Sequence, residues 1–271
     1  MAVEDYEGTA IITIGAAAEQ YDKDIYSALL GLHKKTNGYC IDWYNGTRGA
    51  LTGYENLRLY LHGHGDFNAK SLGGLNASTI AQGLVGYFGL TKDTTKVISI
   101  TGCNAARGTV CLDSVRNANV ELIGKPVHPE LPHLTRKWLT QDSRLVDTSK
   151  TAAELCRGSF AQQLHQELMT LGIQTTIYAR LYVVVVEDDG QKRTMHYHYK
   201  PVWDPDGKNP HSSYHHGEKD RTKIKISATD GGQMFEYVQY DDNAKAQQRM
   251  NIRIAKAQVN QEILNRSLMG K

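Results

Sequence analysis

Apolar runs alternate with amphipathic stretches along the first part of the chain. Apolar residues at helical spacing predict helices at Glu19–Lys35 and Ser78–Leu90. Apolar runs of strand length, bounded by Gly, Asn or charged residues, predict strands at Thr9–Gly15, Tyr39–Tyr44, Leu57–His62 and Lys96–Thr101. Strands that alternate with helices in this way favour parallel βαβ units with right-handed crossovers.

The second half of the chain changes from a helical to a β pattern. A helix is predicted at Thr151–Leu171 and a long strand at Gln174–Val186. Helical spacing returns from Asp242. Between these lie further predicted β segments, at Arg193–Val202, Lys223–Ser227 and Met234–Tyr240. The element order predicts an α/β fold with a mostly parallel central sheet flanked by helices, then a β-rich region and a C-terminal helix.

Composition and charge exclude several classes of protein. The 271 residues are 40% hydrophobic and 22% charged, and the net charge of +2 argues against a surface that binds nucleic acid. No run approaches the roughly 20 apolar residues that cross a bilayer, and the N-terminus lacks the basic region of a Sec signal peptide. The four cysteines form no CxxC pair and indicate reduced thiols. We interpret Cys111 and Cys156 as buried or incidental.

Two predicted strands end on residues that carry chemistry. The strand Leu57–His62 runs into His64 and Gly65, and the strand Lys96–Thr101 runs into Cys103. Neighbouring parallel strands place their carboxyl ends at one edge of the sheet, where open α/β sheets bind ligands. An imidazole activates a cysteine by taking its proton, and glycines leave backbone N–H groups free to hold an oxyanion. The pattern therefore predicts a Cys–His dyad for acyl transfer.

These residues also have other interpretations. A lone His or Cys at a strand end is usually a satisfied polar group or a small buried side chain. A metal site is a further alternative, because His62, His64 and Asp66 are spaced as in the HxHxDH run of metallo-β-lactamase-like hydrolases. Phe67 replaces the last His of that run, and we expect no metal.

Four blocks of the sequence resemble a known family. The blocks are RLYLHGHGD, SLGGLNASTIAQGL, KVISITGCNA and GSFAQQLHQELMTLGIQTTIYAR. They are similar to the inositol-phosphate-activated cysteine protease domains of RTX toxins and large glucosylating clostridial toxins, in the same clan as caspases, gingipain and clostripain. The resemblance covers Thr9 to about Thr229, and its most specific parts are the Gly-His-Gly and Ile-Ser-Ile-x-Gly-Cys blocks.

The resemblance implies a caspase-like fold and a division of the chain. It implies a cysteine protease domain at 1–240, with a β-flap subdomain at about 180–240. An insertion at about 104–158 has no counterpart of that length in the family, and we expect a lid, a substrate-selecting loop or a cleavage site there. The helical extension at 241–271 is also without a counterpart.

The resemblance further implies a role for each matching residue. Cys103 matches the family's nucleophile and His64 its catalytic histidine. Backbone N–H groups of Gly65 and Cys103 are the expected oxyanion donors, and Asp66 is a candidate for orienting His64. His62 stands where the family has an apolar residue, which weakens the metal interpretation. The implied substrate preference is Leu before the cut.

The family's allosteric activator, inositol hexakisphosphate, is the implied cofactor, and it binds at the β-flap. A polyphosphate needs convergent cations, with Arg giving forked contacts and Lys point charges, and alternate residues of a strand share one face. Each cation taken alone is more often a solvated surface group. The candidate residues are His33, Lys34, Arg58, Arg180, Lys192, Arg193, Lys219, Arg221, Lys223 and Lys225.

Three functions remain open from the sequence. The favoured one is a cysteine endopeptidase activated by inositol hexakisphosphate. The alternatives are a catalytically silent inositol-phosphate-binding module and acyl transfer or ligation by the same dyad. Because the chain is not embedded in a giant toxin, we expect a bacterial effector and virulence factor. It would be secreted without a Sec signal and would cleave a host protein, or itself, in the host cytoplasm.

Overall fold

The computed structural model of the chain describes residues 6–15, 23–66, 69–108, 150–181, 183–186, 190, 192–203, 210–219 and 222–239. Its helices are α1 (Lys23–Thr36), α2 (Ala77–Gln82), α3 (Ala152–Cys156) and α4 (Phe160–Thr170), with a π-helical turn (Gly83–Tyr87) directly after α2. Its strands are β1 (Gly8–Thr13), β2 (Tyr39–Asp42), β3 (Leu57–His62), β4 (Gly65–Asp66), β5 (Ser71–Leu72), β6 (Leu75–Asn76), β7 (Thr95–Thr101), β8 (Thr176–Ala179), β9 (Val183–Val186), β10 (Lys192–Trp203), β11 (Pro210–Lys219), β12 (Thr222–Thr229) and β13 (Gly232–Gln239).

A seven-stranded sheet forms the centre of the fold, in the order β13-β12-β8-β7-β3-β1-β2. The neighbours from β2 to β8 are parallel, and β12 and β13 add an antiparallel hairpin to the β8 edge. Two smaller sheets have the orders β11-β10-β9 and β4-β5-β6. The predicted α/β class with a mostly parallel, helix-flanked sheet is confirmed. The expected flap region is divided, since β9–β11 form a separate sheet while β12 and β13 join the central one.

The two faces of the central sheet differ in chemistry, because side chains alternate along each strand. One face carries side chains such as Leu59 and Ile177 and forms the main apolar core with α2 and α4. The opposite face is covered in part by α1 and β9, which pack against Tyr60. We name this second face the cationic face; the paired strands place on it Arg58, Tyr60, Ser99, Tyr178, Lys223 and Lys225.

The helices depart from the prediction in two places. The segment Ser78–Leu90 is helical at its start but continues as a π-helical turn, in which the Phe88 N–H donates to the Gly83 carbonyl at 3.0 Å. The helix predicted at Thr151–Leu171 is wrong as a single element, because α3 ends before α4 begins. A second N-cap explains the break, since the Ser159 hydroxyl accepts a backbone N–H in the first turn of α4.

The long strand predicted at Gln174–Val186 is also wrong as a single element. It is divided into β8 and β9, which belong to different sheets. The chain leaves the central sheet at Arg180, whose carbonyl accepts the Ala106 N–H at 2.8 Å. The hairpin β4–β6 and the strand β11 were not predicted. Cys111, most of the insertion and the C-terminal helix lie outside the described residues.

Candidate active site and cation cluster

The carboxyl ends of β3 and β7 lie side by side, as the sequence predicts. His62 is the register partner of Thr101, and the Gly63 N–H approaches the Thr101 carbonyl at 3.4 Å. Both strands then leave the sheet at the same edge. The His64 and Cys103 segments are therefore neighbours at the end of the central sheet.

Gly65 lies directly against the backbone of Cys103. A Cβ atom at Gly65 would overlap the Cys103 carbonyl oxygen and would lie 2.8 Å from its amide nitrogen, so this close approach requires glycine. The carbonyl of His64 accepts the Gly73 N–H at 2.7 Å, which anchors the backbone of the exposed histidine. The structure thus brings the two predicted catalytic segments into backbone contact.

The Cys103 thiol is held in its protonated form. Its Sγ–H donates to the carbonyl of Val184, in β9, at 3.7 Å. Burial raises the pKa of the thiol and is the largest effect on it. A thiol is a poor nucleophile, so Cys103 would need a base to act as one.

Asp66 has a local structural role. It is exposed, and its Oδ1 accepts the Ala69 N–H at 2.9 Å in the turn that follows β4. Orientation of His64 by Asp66 stays a prediction.

His62 is buried on the cationic face, with 4% of its surface exposed. Its Nδ1 lies 3.1 Å from the Thr101 carbonyl oxygen, and its Nε2 lies 3.1 Å from the carbonyl oxygen of Ile25 in α1. The pKa of His62 is lowered. Burial is the largest cause, and Lys192 and His64 lower the pKa further. Both ring nitrogens are therefore engaged by carbonyls, which argues against the metal interpretation. Within the described ranges, no group of three or more His, Cys, Asp and Glu residues is placed to hold a metal ion.

A cluster of cations lies on the cationic face, around Tyr60. The Lys192 ammonium, on β10, lies 4.3 Å from the centre of the Tyr60 ring, and the Arg58 guanidinium lies 4.8 Å from it. Cation–π contacts of this kind hold the two charges close to one ring. Burial of the ammonium, followed by repulsion from Arg180, Lys223, Arg58 and Lys35, holds the pKa of Lys192 well below its usual range. We name these five residues the cation cluster: Lys35, Arg58, Arg180, Lys192 and Lys223.

The strand register explains why Arg180 and Lys223 meet. Ala179 of β8 pairs with Ile224 of the antiparallel β12, so the adjacent Arg180 and Lys223 come opposite each other. Arg180 is 3% exposed and Lys223 is 7% exposed. The Lys223 ammonium lies 5.5 Å from the Tyr178 ring centre. Cations this deeply buried need negative charge or hydrogen-bond acceptors beside them.

The cation cluster contains four of the predicted anion-site residues, namely Arg58, Arg180, Lys192 and Lys223. The other predicted residues are not part of it. Lys225 forms an ion pair with Glu236 at 2.8 Å. His33 directs its Nδ1 to the Gly38 carbonyl at 2.8 Å, and Lys34 is exposed. Arg221 lies outside the described residues. Arg193 and Lys219 are backbone register partners, and their side chains are not described.

Lys35 is a cluster residue that the sequence reasoning missed. Ala28, Leu32 and Lys35 follow helical spacing, and the first two pack against the sheet. This spacing places Lys35 on the inner side of α1, where its ammonium donates to the Gly190 carbonyl at 3.1 Å. The spacing was the available signal, since Lys34 is one position off this stripe.

The cation cluster and Cys103 are joined by one pair of strands. Lys192 of β10 is the register partner of Val186 in β9, and Val184 in the same strand holds the Cys103 thiol. The Arg180 backbone is bonded to Ala106, three residues after Cys103. Lys192 and the acceptor of the Cys103 thiol therefore lie on paired strands, a few residues apart.

No protein-family model matches the chain, and no curated protein matches it. None of the helices in the described part is long and apolar enough to span a membrane.

Proposed function

We propose that the chain is a cysteine endopeptidase with a Cys103–His64 dyad, switched on when inositol hexakisphosphate occupies the cation cluster. The strand pair β9–β10 is the main support for the proposal. Lys192 of β10 belongs to the cation cluster, and the carbonyl of Val184 in β9 accepts a hydrogen bond from the Cys103 thiol. In this proposal the fold is caspase-like, with β9–β11 as the flap. The chain acts as a secreted bacterial effector in a host cell.

The chemistry requires a thiolate and a place for the charge that develops. His64 takes the Cys103 proton, and the thiolate attacks the scissile carbonyl carbon, preferably that of a Leu residue. Backbone N–H groups of Gly65 and Cys103 hold the resulting oxyanion. The imidazolium gives its proton to the leaving amine as the C–N bond breaks. Water, deprotonated by His64, then hydrolyses the thioester and restores the thiol.

Activation follows from the charges of the cluster. Five cationic residues share one small region, where burial and repulsion disfavour the charged form of Lys192. A polyanion binds most tightly to the arrangement in which these cations converge. The resulting shift of β10 and β9 withdraws the Val184 carbonyl from Cys103, which frees the thiol for His64. Activation is then a difference in affinity between two arrangements rather than a new catalytic group.

The test combines activator dependence with loss of the sulfur. Wild-type protein and Cys103→Ala are incubated with and without inositol hexakisphosphate, and self-cleavage and labelling by a Leu-containing thiol-reactive peptide are followed. We expect labelling of the wild type that requires the activator and is absent in Cys103→Ala. Binding of the activator without labelling would instead identify a silent binding module. Mass analysis of the products separates hydrolysis from ligation.

A further inference from the structure

The two hydrogen-bond contacts of His62 need more N–H donors than a neutral imidazole has. The ring is buried, and each of its two nitrogens lies 3.1 Å from a backbone carbonyl oxygen. A carbonyl oxygen only accepts, and a neutral imidazole has one N–H donor. In the neutral form one nitrogen therefore turns a lone pair towards an oxygen. In the imidazolium form both nitrogens donate.

The charges around His62 decide which form is present. Lys192 on β10 and His64 beyond the end of β3 face the ring, and α1 and β7 contribute the two carbonyl groups. Lys192 is itself surrounded by Arg58, Arg180, Lys223 and Lys35. Burial and the neighbouring Lys192 and His64 lower the pKa of His62, and its hydrogen bonds with the two carbonyls raise it. Without a ligand, the neutral form is therefore favoured at neutral pH.

A polyanion bound at the cation cluster favours the protonated form of His62. Negative charge on the cluster offsets the repulsion by Lys192, while the two carbonyls remain in place. Protonation then satisfies both carbonyls at once, and a hydrogen bond from a charged donor is roughly twice as strong as a neutral one.

We propose that His62 is a proton-coupled positioning residue: when a polyanion occupies the cation cluster, His62 takes one proton from the solvent and donates to Ile25 and Thr101 together. This proposal rests on the anion site proposed above. The doubly donating ring fastens α1 to the end of β7, two residues before Cys103. The anion thus orders the catalytic edge through the β9–β10 strands and, separately, through the buried imidazolium.

Thermodynamic reciprocity gives the sign of the effect. If anion binding brings a proton to His62, then a lower pH tightens anion binding. For a single proton the gain is at most about tenfold per pH unit. We expect the wild type to gain about 3- to 10-fold more affinity between pH 7.5 and 6 than His62→Gln.

The experiment is calorimetric titration of inositol hexakisphosphate in two buffers of different ionisation enthalpy, which measures protons taken up on binding. Protonation of the ligand is common to all variants, and repeating the comparison with Lys192→Met as the background removes the protons of Lys192, so the difference between His62 and His62→Gln isolates the ring. We expect wild type to take up about 0.5 to 1 proton more than His62→Gln. His165→Gln, which changes a buried histidine on the opposite face of the sheet, is expected to match wild type, as is His64→Gln.

The outcomes separate this proposal from the preceding one. Equal proton uptake by wild type and His62→Gln overturns the role of His62 and leaves the anion site standing. Loss of the extra proton in His64→Gln alone assigns it to His64 and overturns the proposal equally. Absence of binding by wild type removes both proposals. If His62→Gln does not fold, NMR titration of the wild-type ring, assigned through its contacts with Ile25 and Thr101, gives the same answer. An unchanged titration midpoint on adding the anion contradicts the proposal.

Discussion

Replacement of Lys192 by Met tests the cation cluster through two effects of opposite sign. Met has a similar length and no charge, so Lys192→Met keeps the packing over Tyr60 while removing the ammonium. In the wild type that ammonium is disfavoured by burial and by repulsion from Arg180, Lys223, Arg58 and Lys35. We therefore expect the variant to be more stable without ligand and to bind inositol hexakisphosphate less tightly.

The magnitudes follow from general energetics. Replacing a buried ion pair by apolar side chains of similar volume stabilises proteins by up to about 4 kcal/mol, and for the single charge of Lys192 we expect about 1–2 kcal/mol. With about 2–4 °C per kcal/mol for a chain of this size, we expect a melting temperature roughly 2–8 °C higher. Loss of one charged hydrogen bond weakens binding by about 1.5–3 kcal/mol, which is about 10- to 150-fold in Kd.

The pH dependence adds a second signature. Because the folded-state pKa of Lys192 is lowered, the unfolded chain binds more protons below pH 10.5. The free energy of unfolding of the wild type should therefore rise as the pH increases from neutral towards 10.5, and this contribution should be missing in Lys192→Met. The control is Lys96→Met, at the exposed start of β7, which should change stability by no more than about 0.5 kcal/mol.

The test is to measure calorimetric unfolding and anion binding for wild type, Lys192→Met and Lys96→Met. A Lys192→Met variant that is less stable than wild type and binds the anion equally well would refute the reasoning. In that case the ammonium would have a favourable structural partner, and the cluster would have no role in anion binding.

Three further predictions concern packing, thiol reactivity and acid stability. In a denaturant titration, Gly65→Ala should lower the free energy of unfolding by about 1–3 kcal/mol, because its Cβ would overlap the Cys103 carbonyl. Gly86→Ala is the control and should be neutral or stabilising, because no atom lies within 4 Å of the added Cβ. Desolvation raises the pKa of Cys40 from 9.0 to about 11, although part of the residue is exposed, so iodoacetamide should alkylate it several-fold more slowly at pH 8 than an ordinary thiol; an apparent pKa near 9 by mass spectrometry would contradict this. Burial lowers the pKa of His165, so the unfolded chain binds the extra proton, stability falls as the pH drops below about 6.5, and His165→Gln should flatten that part of the stability curve.

The strands before the candidate site were predictable because each is a short apolar run between turn residues. The β3 strand was predicted at its observed bounds, Leu57–His62. Parallel pairing of β3 with β7 then brings His64 and Cys103 to one edge by geometry alone. This part of the site follows from strand direction and needs no knowledge of side-chain packing.

The elements that were mispredicted lack a local signal of that kind. The apolar run from β8 into β9 has no Gly or Pro to mark where the chain changes sheets, and the break depends on a backbone contact between Arg180 and Ala106. The β11 strand contains Pro, Gly and several His residues and does not follow an apolar alternation. Both depend on tertiary partners that pattern reading does not include.

Two features of the site were also beyond the sequence. The acceptor for the Cys103 thiol is the backbone carbonyl of Val184. Every residue has a backbone carbonyl, so the residue type does not indicate which one accepts. His62 follows apolar neighbours in β3, and its double contact with Ile25 and Thr101 forms only when helix α1 is packed on the sheet.

The most direct test of the Cys103–His64 dyad is the rate of Cys103 alkylation as a function of pH, followed by mass spectrometry with and without inositol hexakisphosphate. We predict that the anion raises the rate at pH 7 by at least about tenfold and moves the midpoint to lower pH, since the thiol leaves Val184 for an imidazole. His64→Ala should lose the change in midpoint, and Cys40 should not respond in either protein. An alkylation profile of Cys103 that is the same with and without the anion, or the same in His64→Ala, would contradict the account.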